Sequence, residues 1–152
     1  MVGIVIVAHS GELADGVKRL VEHLVQGEVP VAAAGGVDDP DHPFGTNVPA
    51  VQRAIDSVYS DDGVVVLMDM GSSLLSAEMA LDFISEEKRH KIRLCEAPLV
   101  EGAVSAGVCA SGGGSLERVL EEARRALSAK QAHLGSGVAQ SQGGEAPRAF
   151  QH

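Results

Sequence analysis

Val2-Gly3-Ile4-Val5-Ile6-Val7-Ala8-His9-Ser10-Gly11 is an apolar run of strand length that breaks off at a histidine, a serine and a glycine. The run does not alternate apolar with polar, so it reads as a strand covered on both faces, the habit of parallel sheets whose crossover helices lie on either side. The next segment is helical in period: Leu13, Val17, Leu20, Val21, Leu24 and Val25 form an apolar stripe that Gly27 ends.

The same alternation continues downstream. Val29 to Ala34, Val64 to Met68 and Ile92 to Cys95 are three more apolar runs of strand length. Thr46 and Asn47 suit a helix N-cap and Pro49 a first turn, with Val51, Ala54, Ile55 and Val58 as the buried face. After the third strand, Ser72 or Ser73 is expected to cap a helix carrying Leu74, Ala77, Leu81 and Ile84, ended by the charged cluster Glu86 to Lys91. Pro98 opens a small-residue helix, Leu99 to Ala110, which Gly112, Gly113 and Gly114 terminate. Ser115 then caps a last helix with Leu116, Val119, Leu120, Ala123 and Leu127. The expected architecture is one domain over residues 1–130, followed by a disordered polar tail over 131–152 that is rich in Gln, Gly, Ser and Ala.

Right-handed crossovers restrict such a chain mainly to a doubly wound α/β fold, flavodoxin-like, with a mostly parallel sheet of order 2-1-3-4 and helices on both faces. Strands 1 and 3 then lie side by side, and ligands bind beyond their carboxyl ends, where the winding reverses. That crevice collects His9, Ser10 and Gly11 from one strand end and Asp69, Met70, Gly71, Ser72 and Ser73 from the other.

Composition narrows the function. The 152 residues are 45% hydrophobic and 22% charged with a mean hydropathy of +0.10, the values of a soluble globular chain. The net charge is −9, and the only aromatic residues are Phe44, Phe83, Phe150 and Tyr59, so nucleic acid is not an expected partner. The longest apolar stretch, Val64 to Met68, is far short of the roughly 20 residues a membrane helix needs. Cys95 and Cys109 have no CxxC spacing and no secretory leader precedes them, so they read as reduced, buried, inert thiols in a cytoplasmic protein.

The chemistry concentrates at the crevice. A carboxylate at Asp69 can accept a hydrogen bond from Nδ1 of His9, which leaves Nε2 as a neutral nucleophile. Free N–H groups at the helix start after Gly71 favour an anion in the same place. Histidine, carboxylate and anion cradle together suggest a phosphorylated imidazole; the competing reading is a structural histidine in a non-catalytic binding module. Ser10, Gly36, Gly71, Ser72 and Ser73 are the candidate phosphate-binding positions, with Ser72 and Ser73 read equally well as caps. Gly35 and Gly36 allow close backbone approach or simply make a turn. Asp38, Asp39, Asp41 and His42 crowd the loop after strand 2, but Pro40 and Pro43 interrupt any cation-loop spacing, so neither metal nor cofactor is expected. His23, His90 and His133 read as surface residues.

Four segments also resemble a known family over about Val2 to Leu127: Ile-Val-Ile-Val-Ala-His-Ser (4–10), Gly-Gly-Val-Asp-Asp-Pro (35–40) with Gly-Thr-Asn (45–47), Met-Asp-Met-Gly-Ser-Ser (68–73) and Glu-Ala-Pro-Leu-Val-Glu-Gly-Ala (96–103). They are similar to the phosphoryl-carrier subunits of the phosphoenolpyruvate-dependent dihydroxyacetone kinases, within the mannose-class IIA domains of the bacterial phosphotransferase system. The resemblance implies that His9 is the phosphorylated histidine and Asp69 the residue that orients it. It implies that the phosphoryl group comes from the histidine-phosphorylated carrier protein and goes to ADP bound in the kinase's nucleotide-binding subunit, with the carrier subunit a homodimer. Sugar-transporting mannose-class IIA domains usually place a tryptophan between the aspartate and the glycines. Met70 followed by a single Gly71 departs from that pattern and favours the kinase branch over a sugar-transporter component. Some members carry fused carrier domains; the polar tail here leads to the expectation of a separate carrier. Asn47 stands where the family pattern leads one to expect an acid.

Overall fold

The computed structural model describes residues 1–142, with side-chain surroundings to residue 135. Four strands, β1 (Gly3–Ala8), β2 (Val31–Gly35), β3 (Val64–Met68) and β4 (Ile92–Cys95), form one sheet of order β2-β1-β3-β4. All three pairings are parallel, with Val7 opposite Ala34 on one side and Met68 on the other. The α/β doubly wound sheet read from the sequence is therefore the one formed.

The helices are α1 (Gly11–Leu24), α2 (Val48–Val58), α3 (Gly71–Asp82), a single-turn α4 (Glu86–Arg89), α5 (Leu99–Ser111) and α6 (Leu116–Gln142). Strand side chains alternate between faces, so each apolar run feeds two cores. Ile4, Ile6, Val65 and Leu67 pack with Val17 and Val21 of α1, Ala103 and Ala106 of α5, and Leu120 of α6. Val5, Val7, Val64 and Val66 pack on the other face with Val51 and Ile55 of α2 and Ala80 of α3. Leu67 is wholly buried at the centre. Leu67→Ala is expected to cost about 2–5 kcal/mol of stability through the cavity it leaves, measurable as a lowered urea midpoint.

Several boundaries differ from the sequence reading, each for a local reason. β2 begins at Val31 rather than Val29, because Pro30 has no N–H for the ladder, although its carbonyl accepts the Ile4 N–H at 2.9 Å. α1 ends at Leu24, and the chain reverses through Gln26 and Gly27, both left-handed at φ 56° and 73°. Its buried face is Ala14, Val17 and Val21, while Leu13, Leu20 and Leu24 remain substantially exposed. α2 has Asn47 as N-cap, whose side-chain oxygen accepts the Ala50 N–H at 2.9 Å, so that position caps a helix.

The largest correction is at the end of the chain. α6 runs on to Gln142, twelve positions past the residue at which the sequence suggested that order stops. Gln131, Ala132, His133 and Leu134 are exposed, so the first turn of this extension has no buried face to produce an apolar period. Ala132 and the glutamines are good helix formers while Gly135 and Gly137 are not, and a helix already nucleated by packing at Leu116 to Ala123 propagates cheaply past them. The remainder of the expected tail, 143–152, lies outside the described residues. No helix among the described residues is long and apolar enough to cross a membrane.

Candidate active site

β1 and β3 are neighbours in the sheet, so their carboxyl ends bring His9 and Asp69 together across 60 positions of sequence. The carboxylate is held from several sides. Oδ2 accepts the main-chain N–H of His9 at 2.9 Å, and Oδ1 accepts the Met70 N–H and the Ser73 hydroxyl, each at 2.8 Å. Asp69 N–H in turn donates to Val7 O at 3.1 Å. Toward the ring, Nδ1 of His9 lies 3.0 Å from Oδ1 and 3.2 Å from Oδ2. Burial raises the Asp69 pKa, but the bonds from the His9 N–H, the Ser73 hydroxyl and the His9 ring outweigh it and hold the carboxyl below its ordinary value of 3.8. The carboxylate is thus ionised at neutral pH.

An ionised carboxylate only accepts, so Nδ1 carries the ring proton and Nε2 is the lone-pair nitrogen. The Ser72 hydroxyl, 2.7 Å from Nε2, donates to it. The ring is 24% exposed and the Asp69 side chain 11%, so the imidazole reaches solvent while the carboxylate stays largely covered.

α3 begins at this point, with Met70 as its N-cap and no side-chain cap. Ser72 and Ser73 are therefore not caps, the role that a Gly-Ser-Ser turn suggests; they fall in the first turn, and their hydroxyls go to His9 and Asp69 instead of to the helix main chain. The N–H groups of Gly71 and Ser72 have no acceptor among the described residues, an arrangement that favours an anion.

Ser10 and Gly36 lie on the β2 side of His9. The Ser10 hydroxyl accepts the Leu13 N–H at 3.2 Å and so caps α1. Gly36 is left-handed at φ 74°, and a Cβ there would lie 3.1 Å from Pro43 O and 3.2 Å from Gly11 N. At Gly35 a Cβ would meet Ala8 O and Ser10 O at 2.7 Å, so the end of β2 closes on the turn that carries His9 only as glycine. Ser10, Gly36, Phe44 and Arg53 border a cleft of about 500 Å³ on this side. A more apolar cleft of about 480 Å³, with Asp69, Met70, Leu74, Leu99 and Leu127, flanks the other.

Two contacts at the site had no sequence signal. Gly45 N–H donates to His9 O at 2.7 Å, and the Thr46 and Ser76 hydroxyls meet, so the loop after β2 is tied both to the histidine and to α3. In the same loop Asp39 Oδ1 accepts the Asp41 and His42 N–H groups at 3.0 and 3.4 Å, a turn of the main chain. Among the described residues no three His, Cys, Asp or Glu side chains converge as metal ligands. Cys95 is buried, which pushes its thiol pKa up and keeps it protonated.

Residues 3–120 match the EIIA-man family, described as the PTS system fructose IIA component. The chain is an EIIA-man domain. Relatives of this EIIA-man domain include the phosphoryl donor subunit DhaM of the PEP-dependent dihydroxyacetone kinase from Pantoea ananatis, 49% identical over 89% of this chain and 29% of that protein. The corresponding Escherichia coli subunit is 46% identical over the same shares. The phosphotransferase subunit DhaM of the PTS-dependent kinase from Lactococcus lactis is 32% identical over 84% of this chain and 98% of that one. The domain thus spans less than a third of the first two relatives and nearly all of the third. Among solved structures, a protein of unknown function, EF1359, superposes with a TM-score of 0.72 at 30% identity, covering 82% of this chain and 93% of that one. A sigma-54 interaction domain protein from Enterococcus faecalis, at 18% identity and a TM-score of 0.59 over 93% and 96% of the two chains, shares the fold.

Proposed function

We propose that this EIIA-man domain is a phosphohistidine carrier in a dihydroxyacetone kinase relay. It takes a phosphoryl group on Nε2 of His9 from a histidine-phosphorylated carrier protein and passes it to ADP held in the kinase's nucleotide-binding subunit. The observation that carries this reading is the Nδ1–Asp69 bond at 3.0 Å, which leaves Nε2 neutral and facing the crevice. The names of the relatives at 32–49% identity favour the kinase branch over sugar transport.

In the first step the Nε2 lone pair forms the new N–P bond as the donor's N–P bond breaks and returns its electron pair to the donor imidazole. The Ser72 hydroxyl has to leave Nε2 for this, and Gly71 and Ser72 N–H groups are available to the phosphoryl oxygens. Because Nδ1 keeps its proton, the phosphorylated ring is cationic, and Asp69 faces that charge. In the second step a terminal phosphate oxygen of ADP attacks, the N–P bond breaks, and its electron pair returns to Nε2, restoring the neutral imidazole. No bound cofactor enters either step, and the relay carries a cytoplasmic location with it.

The test is intact-protein mass after incubation with phosphoenolpyruvate and the two general phosphotransferase proteins, kept alkaline to preserve phosphoimidazole. One added, acid-labile phosphoryl group is expected; no gain overturns the reading and leaves a binding module.

The reading includes a homodimer, and we assign its interface to α3. Leu75 in α3 and Phe83 at its C-cap are 63% and 68% exposed, with Met79 between them on the same stripe. Light scattering is expected to give a dimer for the native chain and a monomer for Leu75→Glu combined with Phe83→Glu. A monomeric native chain, or a dimeric double variant, would refute this assignment.

A further inference from the structure

Ser73 is the one buried polar side chain among the described residues, and it is wholly inaccessible. A phosphoryl group arriving at Nε2 from outside therefore does not meet it. Its position is one turn into α3, and its hydroxyl lies 2.8 Å from Asp69 Oδ1 and 3.1 Å from His9 Nδ1. A serine hydroxyl has one proton. The ionised carboxylate has none to give, so that proton goes to Asp69, and the Ser73 oxygen turns a lone pair toward Nδ1–H. Nδ1 is then surrounded by three acceptor oxygens, at 3.0, 3.1 and 3.2 Å.

We propose that Ser73 is a positioning residue: its hydroxyl clamps both the Asp69 carboxylate and the Nδ1 edge of His9, fixing the ring plane so that Nε2 points along the line of phosphoryl transfer. Asp69 alone leaves the ring a degree of freedom, since Oδ1 and Oδ2 lie at nearly equal distances from Nδ1 and the ring can swing between them. The third oxygen comes from a helix rather than a strand end, and removes that freedom. Placing the reacting atom in line is where such constraint acts on rate. The clamp also couples the ring to the first turn of α3, the turn that supplies the free N–H groups of Gly71 and Ser72.

The rate consequence rests on the phosphocarrier reading; the ring-ordering consequence does not, and the experiment separates them. Nitrogen-15 NMR of the imidazole in the unphosphorylated protein is expected to show an Nδ1–H resonance protected from water exchange. Ser73→Ala should raise that exchange rate about 10-fold, and Ser73→Thr, which keeps a hydroxyl, should return it toward the native value. In phosphorylation by the carrier protein, Ser73→Ala should lower the maximal rate by about 10-fold and leave the half-saturating carrier concentration unchanged, with Thr again restoring it. A residue that only fills space would lower the melting temperature of the Ala variant and move neither readout. Native exchange and native rate in a folded Ser73→Ala protein would overturn the clamp, as would a loss confined to carrier affinity. If the native protein takes up no phosphoryl group while the exchange results hold, the carrier reading fails and the clamp stands.

Discussion

His9→Ala takes up no phosphoryl group. The variant loses the imidazole nitrogen proposed to form the covalent bond, and the serines offer no substitute: Ser72 has no adjacent base once the imidazole is gone, and Ser73, although bonded to Asp69, is wholly buried. The fold is expected to survive. The ring sits at the solvent edge of the crevice, 24% exposed, and the main-chain N–H of residue 9 still binds Asp69 Oδ2 in the variant. Intact mass and circular dichroism on the same sample check both halves. A His9→Ala protein that still gains an acid-labile phosphoryl group would move the reactive histidine elsewhere, to residues such as His23 or His90 that the structure places on the surface.

Asp69→Asn leaves a phosphorylatable histidine and slows its reaction by up to about 10⁴-fold, the loss found when the orienting carboxylate beside a catalytic histidine of a serine protease becomes an amide. The amide presents either an oxygen or an NH₂ group to Nδ1; the second choice forces the proton onto Nε2 and removes the nucleophile. In either orientation the cationic phosphorylated ring has lost its counter-charge. Rapid-quench measurement of phosphoryl uptake is the check, and a native rate in the variant would show that the second member of the pair is misassigned.

The same residue gives a sign for acid stability. The Asp69 pKa is lower in the folded chain than its ordinary value of 3.8. Its contribution to stability is therefore complete above about pH 4 and is lost as the pH falls through the lower folded-state value. Melting curves of the native protein and Asp69→Asn should differ most near neutrality and converge once the pH has fallen below the lowered folded-state value.

The legible part of this molecule was written in the strands. Val2 to Ala8 and Val64 to Met68 are apolar without interruption because both faces of the sheet are covered, and that pattern leads directly to parallel order and to the adjacency of β1 and β3. Once those two are neighbours, His9 and Asp69 at their ends must meet. The helix starts were less legible. A serine in a Gly-Ser-Ser turn looks like a cap, and only the tertiary pairing of its hydroxyl with a histidine 64 residues away reveals another use. The tether from Gly45 to His9 is a main-chain bond, which no side-chain pattern encodes. The extension of α6 was hidden because its first residues, Gln131 to Leu134, are exposed and leave no apolar period to read.

The 60-position separation of His9 and Asp69 also has a meaning for biosynthesis. At roughly 5–20 residues per second, a chain leaving the ribosome carries the histidine for about 3–12 s before its partner carboxylate is even polymerised. During that interval the histidine lacks its crevice, which exists only once β3 has docked beside β1.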